Sequence, residues 1–216
     1  MSRELLAEAL GALILAAAVI GSGIMAERLA GGNAAVALMA NTGATVAVLA
    51  VLIATLGETS GAHFNPVVSL AAALRGGLAP VRTASYLAAQ IAGCCSGAML
   101  ANAMFDLPLV HASTHVRTGF GQWLAEAVAT AGLVLVVRTS PTVKEAAWRV
   151  AAWIGAAYWF TASTSFANPA ITIARSLSDT FAGIRPIDVP AFIAAQATGA
   201  YIGLQAARRL VPAGRG

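Results

Sequence analysis

Charge is what this chain has least of. Only 10% of its 216 residues are Asp, Glu, Lys or Arg, while 58% are hydrophobic and the mean hydropathy is +0.77. A soluble domain carries about 25% charged residues, so this composition excludes a water-covered globule, even one with a large alanine-rich core. The net charge of +4 would suggest nucleic acid in a soluble protein. Here it reads as basic loops on one side of a membrane, with no nucleic-acid partner. Cysteine is nearly absent too. Cys94 and Cys95 are adjacent inside an apolar run, where helical neighbours point about 100° apart, so neither a disulfide nor a metal site is expected. No Ser/His pair, paired Asp or His-Glu-His arrangement marks an enzyme, and no cofactor is implied. The first apolar run is too long, and wrongly flanked, for a cleavable signal.

What the chain has in quantity is apolar run. Six stretches are long enough to cross about 30 Å of hydrocarbon: Leu5 to Met25, Ala34 to Leu56, Val81 to Met104, Phe120 to Val137, Ala146 to Thr161 and Val189 to Leu210. The fifth is short, and Arg149 near its start is expected to snorkel to the interface. Two further runs, Val67 to Leu74 and Ile171 to Leu177, are too short to span. With the N-terminus inside, the inner segments hold nine basic residues, including Arg75, Arg138 and Arg215. The outer ones hold four: Arg28, Arg117, Arg175 and Arg185. That asymmetry predicts both termini in the cytoplasm.

The two halves repeat. "LAEA" at Leu6 recurs at Leu124, "AAQIAG" at Ala88 recurs as "AAQATG" at Ala194, and Asn65-Pro66 recurs as Asn168-Pro169. The offsets drift, but the order of Glu, Asn-Pro and Gln-x-x-Gly is kept. Each half has three spans, an odd number, so the second enters from the opposite face. This predicts a single channel domain over 1–216, built of inverted repeats at 1–105 and 119–212.

Each Asn-Pro opens one of the short runs. Asn is a strong N-cap and Pro fits the first helical position. A helix of about ten residues is about 15 Å long, half the hydrocarbon thickness. The expectation is an all-α membrane protein with six transmembrane helices and two re-entrant half-helices meeting near the midplane. Irregular backbone at that depth must line a cavity, and two opposed half-helices imply a pore. Each N-terminus presents roughly +0.5 charge to the centre. The Asn oxygens cap their own helices, leaving the amide NH₂ groups to donate into the pore. The intramembrane carboxylates Glu8 and Glu126 are read as acceptors for the backbone N–H groups of their own half's loop, with a proton-coupling role as the alternative. Gln90 and Gln196 are read as interhelical hydrogen-bonders. The spacings Gly57/Gly61, Gly93/Gly97 and Gly199/Gly203 suit close helix crossings.

"SGAHFNPV", "NPA" at Asn168 to Ala170, the paired Glu and the "AQ-x-x-G" segments resemble the aquaporin and aquaglyceroporin (major intrinsic protein) family along essentially the whole chain. The resemblance implies a homotetramer in the inner membrane with a pore in each subunit. Its central constriction would be Asn65, Pro66, Val67, Asn168, Pro169 and Ala170. Carbonyls of Gly61, Ala62 and His63, and of Ser165, Phe166 and Ala167, would line the path. His63 would brace its loop rather than gate it. Where the family usually places a filter Arg, this chain has Ile171. The other filter positions by spacing are Thr45, Ala156 and Ser165, a small and uncharged set. "NPAITIARS" resembles a bacterial branch associated with arsenic resistance. That implies passage of small neutral solutes such as arsenite, methylated arsenicals or glycerol-like polyols, with water. A secondary transporter and a water-only channel are the alternatives. Arg175, one turn beyond Ile171, is a candidate vestibule charge, or else complements its half-helix C-terminus or pairs with Asp179.

Overall fold

The computed structural model describes residues 1–210. Arg215 and the last two residues assigned to the second repeat lie outside the described residues. Eight α-helices form, in chain order α1 (Arg3–Leu29), α2 (Ala34–Ser60), α3 (Pro66–Ala73), α4 (Pro80–Met104), α5 (Phe120–Thr139), α6 (Val143–Phe160), α7 (Pro169–Arg175) and α8 (Val189–Leu210). A short 3₁₀ turn, Pro186–Asp188, precedes α8. All six long helices and both short ones fall where the apolar runs predict.

The long helices extend past the runs because polar groups cap them. Ser2 accepts from Leu5 N at the start of α1, and Asn33 accepts from the amides of Ala35 and Val36 at the start of α2. Five of the long helices are apolar enough to cross a membrane by length and composition. α6 is the exception: its 18 residues include Lys144, Glu145 and Arg149. These cluster in its first two turns. There Thr142 Oγ1 accepts from Glu145 N, and Arg149 pairs with Glu145 at 2.7 Å, so the apolar remainder stays continuous.

The packing of one half is the packing of the other. α1 lies along α4 and α5 along α8; α1 also contacts α2 as α5 contacts α6; and α2 meets α6 between the halves. α3 and α7 each pack on both α4 and α8. The α1–α4 and α5–α8 crossings are backbone-close. A Cβ on Gly93 or Gly97 would collide with the carbonyl of Ala9 or Leu13. One on Gly199 or Gly203 would collide with that of Ala127 or Ala131. Gly57 instead faces the side chain of Val143, and Gly61 ends α2 at φ 87°, in the left-handed region. The outward faces are apolar, with Leu10, Met39, Val51, Trp148 and Tyr201 exposed, as a lipid-facing surface requires.

Candidate functional site: a lumen between two half-helices

The two loops leading into α3 and α7 have one construction. Ala62 and Phe64 in the first, and Ser165 and Ala167 in the second, have φ between 47° and 51°. Left-handed backbone at a non-glycine residue costs roughly 1–2 kcal/mol, so something must hold it. Glu8 does so in the first half. Its Oε1 accepts from His63 N (3.0 Å) and Ser60 Oγ (2.6 Å), and its Oε2 from Phe64 N (2.8 Å) and Gln90 Nε2 (2.7 Å). Glu126 repeats the set with Phe166 N, Ser163 Oγ, Ala167 N and Gln196 Nε2 at 2.6–2.9 Å. Both carboxylates are wholly buried, with all four acceptor directions occupied. Each carboxylate thus takes two loop amides, one serine hydroxyl and the Gln of a neighbouring long helix. Ser60 and Ser163 were not singled out from the sequence; each also accepts from the amide two residues on.

Asn65 and Asn168 cap their half-helices as expected. Asn65 Oδ1 accepts from Val67 N, and Asn168 Oδ1 from Ala170 N and Ile171 N. Their amide groups depart from expectation. Asn65 Nδ2 donates to Ala167 O at 2.8 Å and Asn168 Nδ2 to Phe64 O at 2.9 Å. One N–H of each thus ties the two loops together, which leaves one N–H on each residue for the lumen that both line. Ala167 O is correspondingly taken.

A cavity of about 770 Å³, counting its open mouths, runs between the halves. Gly61, Ala62, His63, Asn65, Ser165, Phe166, Ala167 and Asn168 all line it. Pro66, Val67, Pro169 and Ala170 do not. They are buried behind the asparagines; of the first three residues of each half-helix only the third, Val68 or Ile171, reaches the lumen. Of the six residues assigned to the central constriction, the wall therefore contains two. No Asp or Glu is among the lining residues.

At one end the wall consists of Thr45, Tyr158, Ser165, Ile171 and Arg175. Thr45, Ser165 and Ile171 are where the spacing puts them. Ala156 is not: it is exposed on the outer side of α6. Val150, Ile154 and Tyr158 form the inward stripe, at i, i+4 and i+8, and Ala156 is two residues, about 200°, from Ile154. The residue on this helix that closes the wall is Tyr158, whose hydroxyl lies 3.3 Å from Thr45 Oγ1. Counting back from Asn168 missed it because the α6–α7 connection sets the phase; the i, i+4 apolar stripe was the available signal. Ser165 Oγ is buried without a partner and lines the same wall.

Arg175, the candidate vestibule charge, lines the cavity and is otherwise buried. Its Nε donates to Ala182 O, and its guanidinium carbon stands 3.3 Å from the centre of the Phe166 ring. Asp179 is not its partner, since its carboxylate accepts instead from Thr114 N, Thr114 Oγ1 and Ser113 Oγ. The bond to Thr114 N holds Asp179 below the usual carboxylate range. At the opposite end, His63, Val68 and Val137 line both the main cavity and a second one of about 330 Å³ with Arg138 in its wall. His63 Nδ1 sits 3.0 Å from Ser69 Oγ, which Gln90 also reaches, a bracing contact of the kind expected.

Spanning apolar helices and two half-helices capped toward each other around a lumen have the form of an integral membrane channel. The family model "Major intrinsic protein" matches residues 1–147. The chain is 51% identical over 167 residues to "Aquaglyceroporin AqpS" of Rhizobium meliloti (strain 1021), covering 76% of this chain and 72% of that one. It is also 51% identical to "Aquaporin-8" of Rattus norvegicus over 51 residues, 24% of this chain and 19% of that one. The fold is similar to the X-ray structure of the aquaglyceroporin from Plasmodium falciparum, with a TM-score of 0.72 over 94% of this chain and 93% of that one at 18% identity. The chain belongs to the major intrinsic protein family and is a passive channel for small uncharged solutes.

Proposed function

We propose that the channel passes polyol-like neutral solutes, including glycerol and arsenite as uncharged As(OH)₃, alongside water. The observation that carries this is the wall at the Arg175 end: Ile171 stands where a filter arginine is usual in the family. Thr45 Oγ1, Tyr158 OH and the unpartnered Ser165 Oγ supply hydroxyls to that wall. A solute with several hydroxyls can exchange hydration for these groups, the second N–H of Asn65 and Asn168, and free loop carbonyls. The similarity to a protein named as an aquaglyceroporin supports the same class.

The finer reading follows from it. Residues 1–105 and 119–212 are inverted repeats about an axis between α2 and α6, and the Arg175 end faces outside with both termini in the cytoplasm. Glu8 and Glu126 support the loops, and Thr45, Tyr158, Ser165 and Ile171 form the filter. Four copies assemble in the inner membrane. Stopped-flow uptake of water, glycerol and arsenite into proteoliposomes tests the solute class. Flux linear in concentration and indifferent to ion gradients supports it; saturable, gradient-driven uptake indicates a transporter. Water flux alone indicates a water-only channel.

A further inference from the structure

Arg117 belongs to no motif in the sequence and lies on the connection between α4 and α5, yet it is buried. Its backbone N–H donates to Asp188 Oδ2 at 2.8 Å. Its side chain donates to three carbonyls, Nε to Gly183 at 2.7 Å, Nη1 to Ser163 at 3.3 Å and Nη2 to Phe181 at 3.5 Å. Among the described residues the ion pairs are Arg82–Glu4, Arg149–Glu145 and Arg185–Asp188, so the Arg117 guanidinium has no carboxylate in direct contact, and Asp188, which takes its backbone N–H, is paired with Arg185. Carbonyls alone would be met by a neutral donor, and burying a charge that does no electrostatic task is costly.

Its charged surroundings supply the task. Ser163, whose carbonyl takes Arg117 Nη1, donates its hydroxyl to Glu126 at 2.6 Å. Arg117 and Glu126 are thus one residue apart in a hydrogen-bonded chain. Arg117 also stacks over Phe166, at 5.0 Å from the ring centre, and this is the ring that Arg175 covers at 3.3 Å. Arg175 lines the lumen and Arg117 does not. The cluster therefore holds two guanidiniums and one carboxylate. Burial pushes the Arg117 guanidinium down to about 10, which leaves it charged at neutral pH. Nothing similar occurs in the first half. The position equivalent to Arg175 by the 103-residue offset is Ala72.

We infer that Arg117 is a specificity-determining residue: its charge offsets the buried Glu126 carboxylate, leaving the Arg175 guanidinium uncompensated at the lumen wall, where it repels cations. The inference rests on the channel reading and assigns the charge selectivity of that pore. Without Arg117, Glu126 and Arg175 balance, and the lumen at this end loses its net positive field.

The test uses the full chain in proteoliposomes. Potassium leak and glycerol uptake are measured in the same vesicles, and leak is expressed per unit of glycerol permeability. Arg117→Gln keeps hydrogen-bond donors and removes the charge, so leak rises by on the order of tenfold or more. Arg117→Lys keeps the charge and loses the planar fork, and stays near the wild-type leak. Arg117→Gln with Glu126→Gln, measured on the assembled fraction because Glu126→Gln alone lowers the yield, removes both charges and restores exclusion, which a purely structural role for Arg117 cannot do. Equal leak in the Lys and Gln variants, or a double variant as leaky as Arg117→Gln alone, overturns the inference. If Arg117→Gln does not reconstitute, Arg175→Gln tests the same balance, and unchanged leak there overturns it. Absence of glycerol and water flux in the wild type overturns the channel reading instead.

Discussion

The side-chain amide of Asn65 donates to the carbonyl of Ala167 across 2.8 Å, joining loops that are 102 residues apart in the chain. With the reciprocal bond from Asn168 to Phe64, it makes the two re-entrant loops one unit. Each asparagine therefore acts in two ways: its oxygen caps a half-helix and one N–H locks the opposite loop.

Replacing either asparagine should consequently cost more than a cap. Loss of the cap is worth about 1 kcal/mol and loss of the cross-loop bond about another 1 kcal/mol. Asn65→Ala and Asn168→Ala should lower the thermal midpoint of the purified channel and weaken cation exclusion. Asn168→Asp keeps the acceptor for Ala170 N but loses the donor to Phe64 O, and should admit cations. Wild-type midpoints and selectivity in all three variants would remove the asparagines from the central role.

Glu8→Gln and Glu126→Gln should disturb assembly more than any pH dependence of flux. Each Gln retains one acceptor oxygen but turns an NH₂ toward donors, leaving loop amides unpaired at roughly 1–3 kcal/mol each. Partial loss of assembled protein is expected by size-exclusion chromatography. Proton-driven solute uptake abolished by either substitution would instead identify a transporter.

Tyr158, rather than Ala156, should set the width of the lumen at the Arg175 end. Tyr158→Ala removes the ring and its contact with Thr45. It should raise glycerol flux several-fold relative to water, whereas Ala156→Leu, on an exposed face, should change neither. Stopped-flow ratios for the pair decide the matter; the reverse pattern would mean that α6 is rotated from the position described.

Ile171→Arg restores a guanidinium to the wall. Arsenite and methylarsenical flux should fall far more than water flux, since water needs the least width. Equal loss of all three solutes would indicate general misfolding rather than a narrowed filter.

Gly199 lies so close to Ala127 that a side chain meets backbone, which cannot rotate away. Gly199→Val should cost about 1–3 kcal/mol or more and reduce the yield of folded protein. Thr198→Val on the exposed face should be tolerated. A yield unaffected by Gly199→Val would show that the α5–α8 crossing is wider than described.

The sequence by itself determined the eight helices and marked Glu8, Glu126, Asn65 and Asn168 as the polar groups set among them. These depend on local physics: apolar run length against bilayer thickness, Asn-Pro as a helix start, and the cost of a carboxylate among apolar residues. Ser60 and Ser163 escaped notice because a serine before a loop has no distinguishing spacing until Glu8 or Glu126 is brought beside it. The tertiary structure alone decided what faces the lumen. The rotational phase of α6 depends on how it packs against α2, which put Tyr158 on the wall and Ala156 outside. The partners of Arg117 are carbonyls and an aromatic ring from segments distant in sequence, those of Arg175 are a carbonyl and the same ring within ten residues, and such partners carry no composition signal. Residue spacing fixes position along a helix, but the direction in which a side chain points is set by the neighbours that close around it.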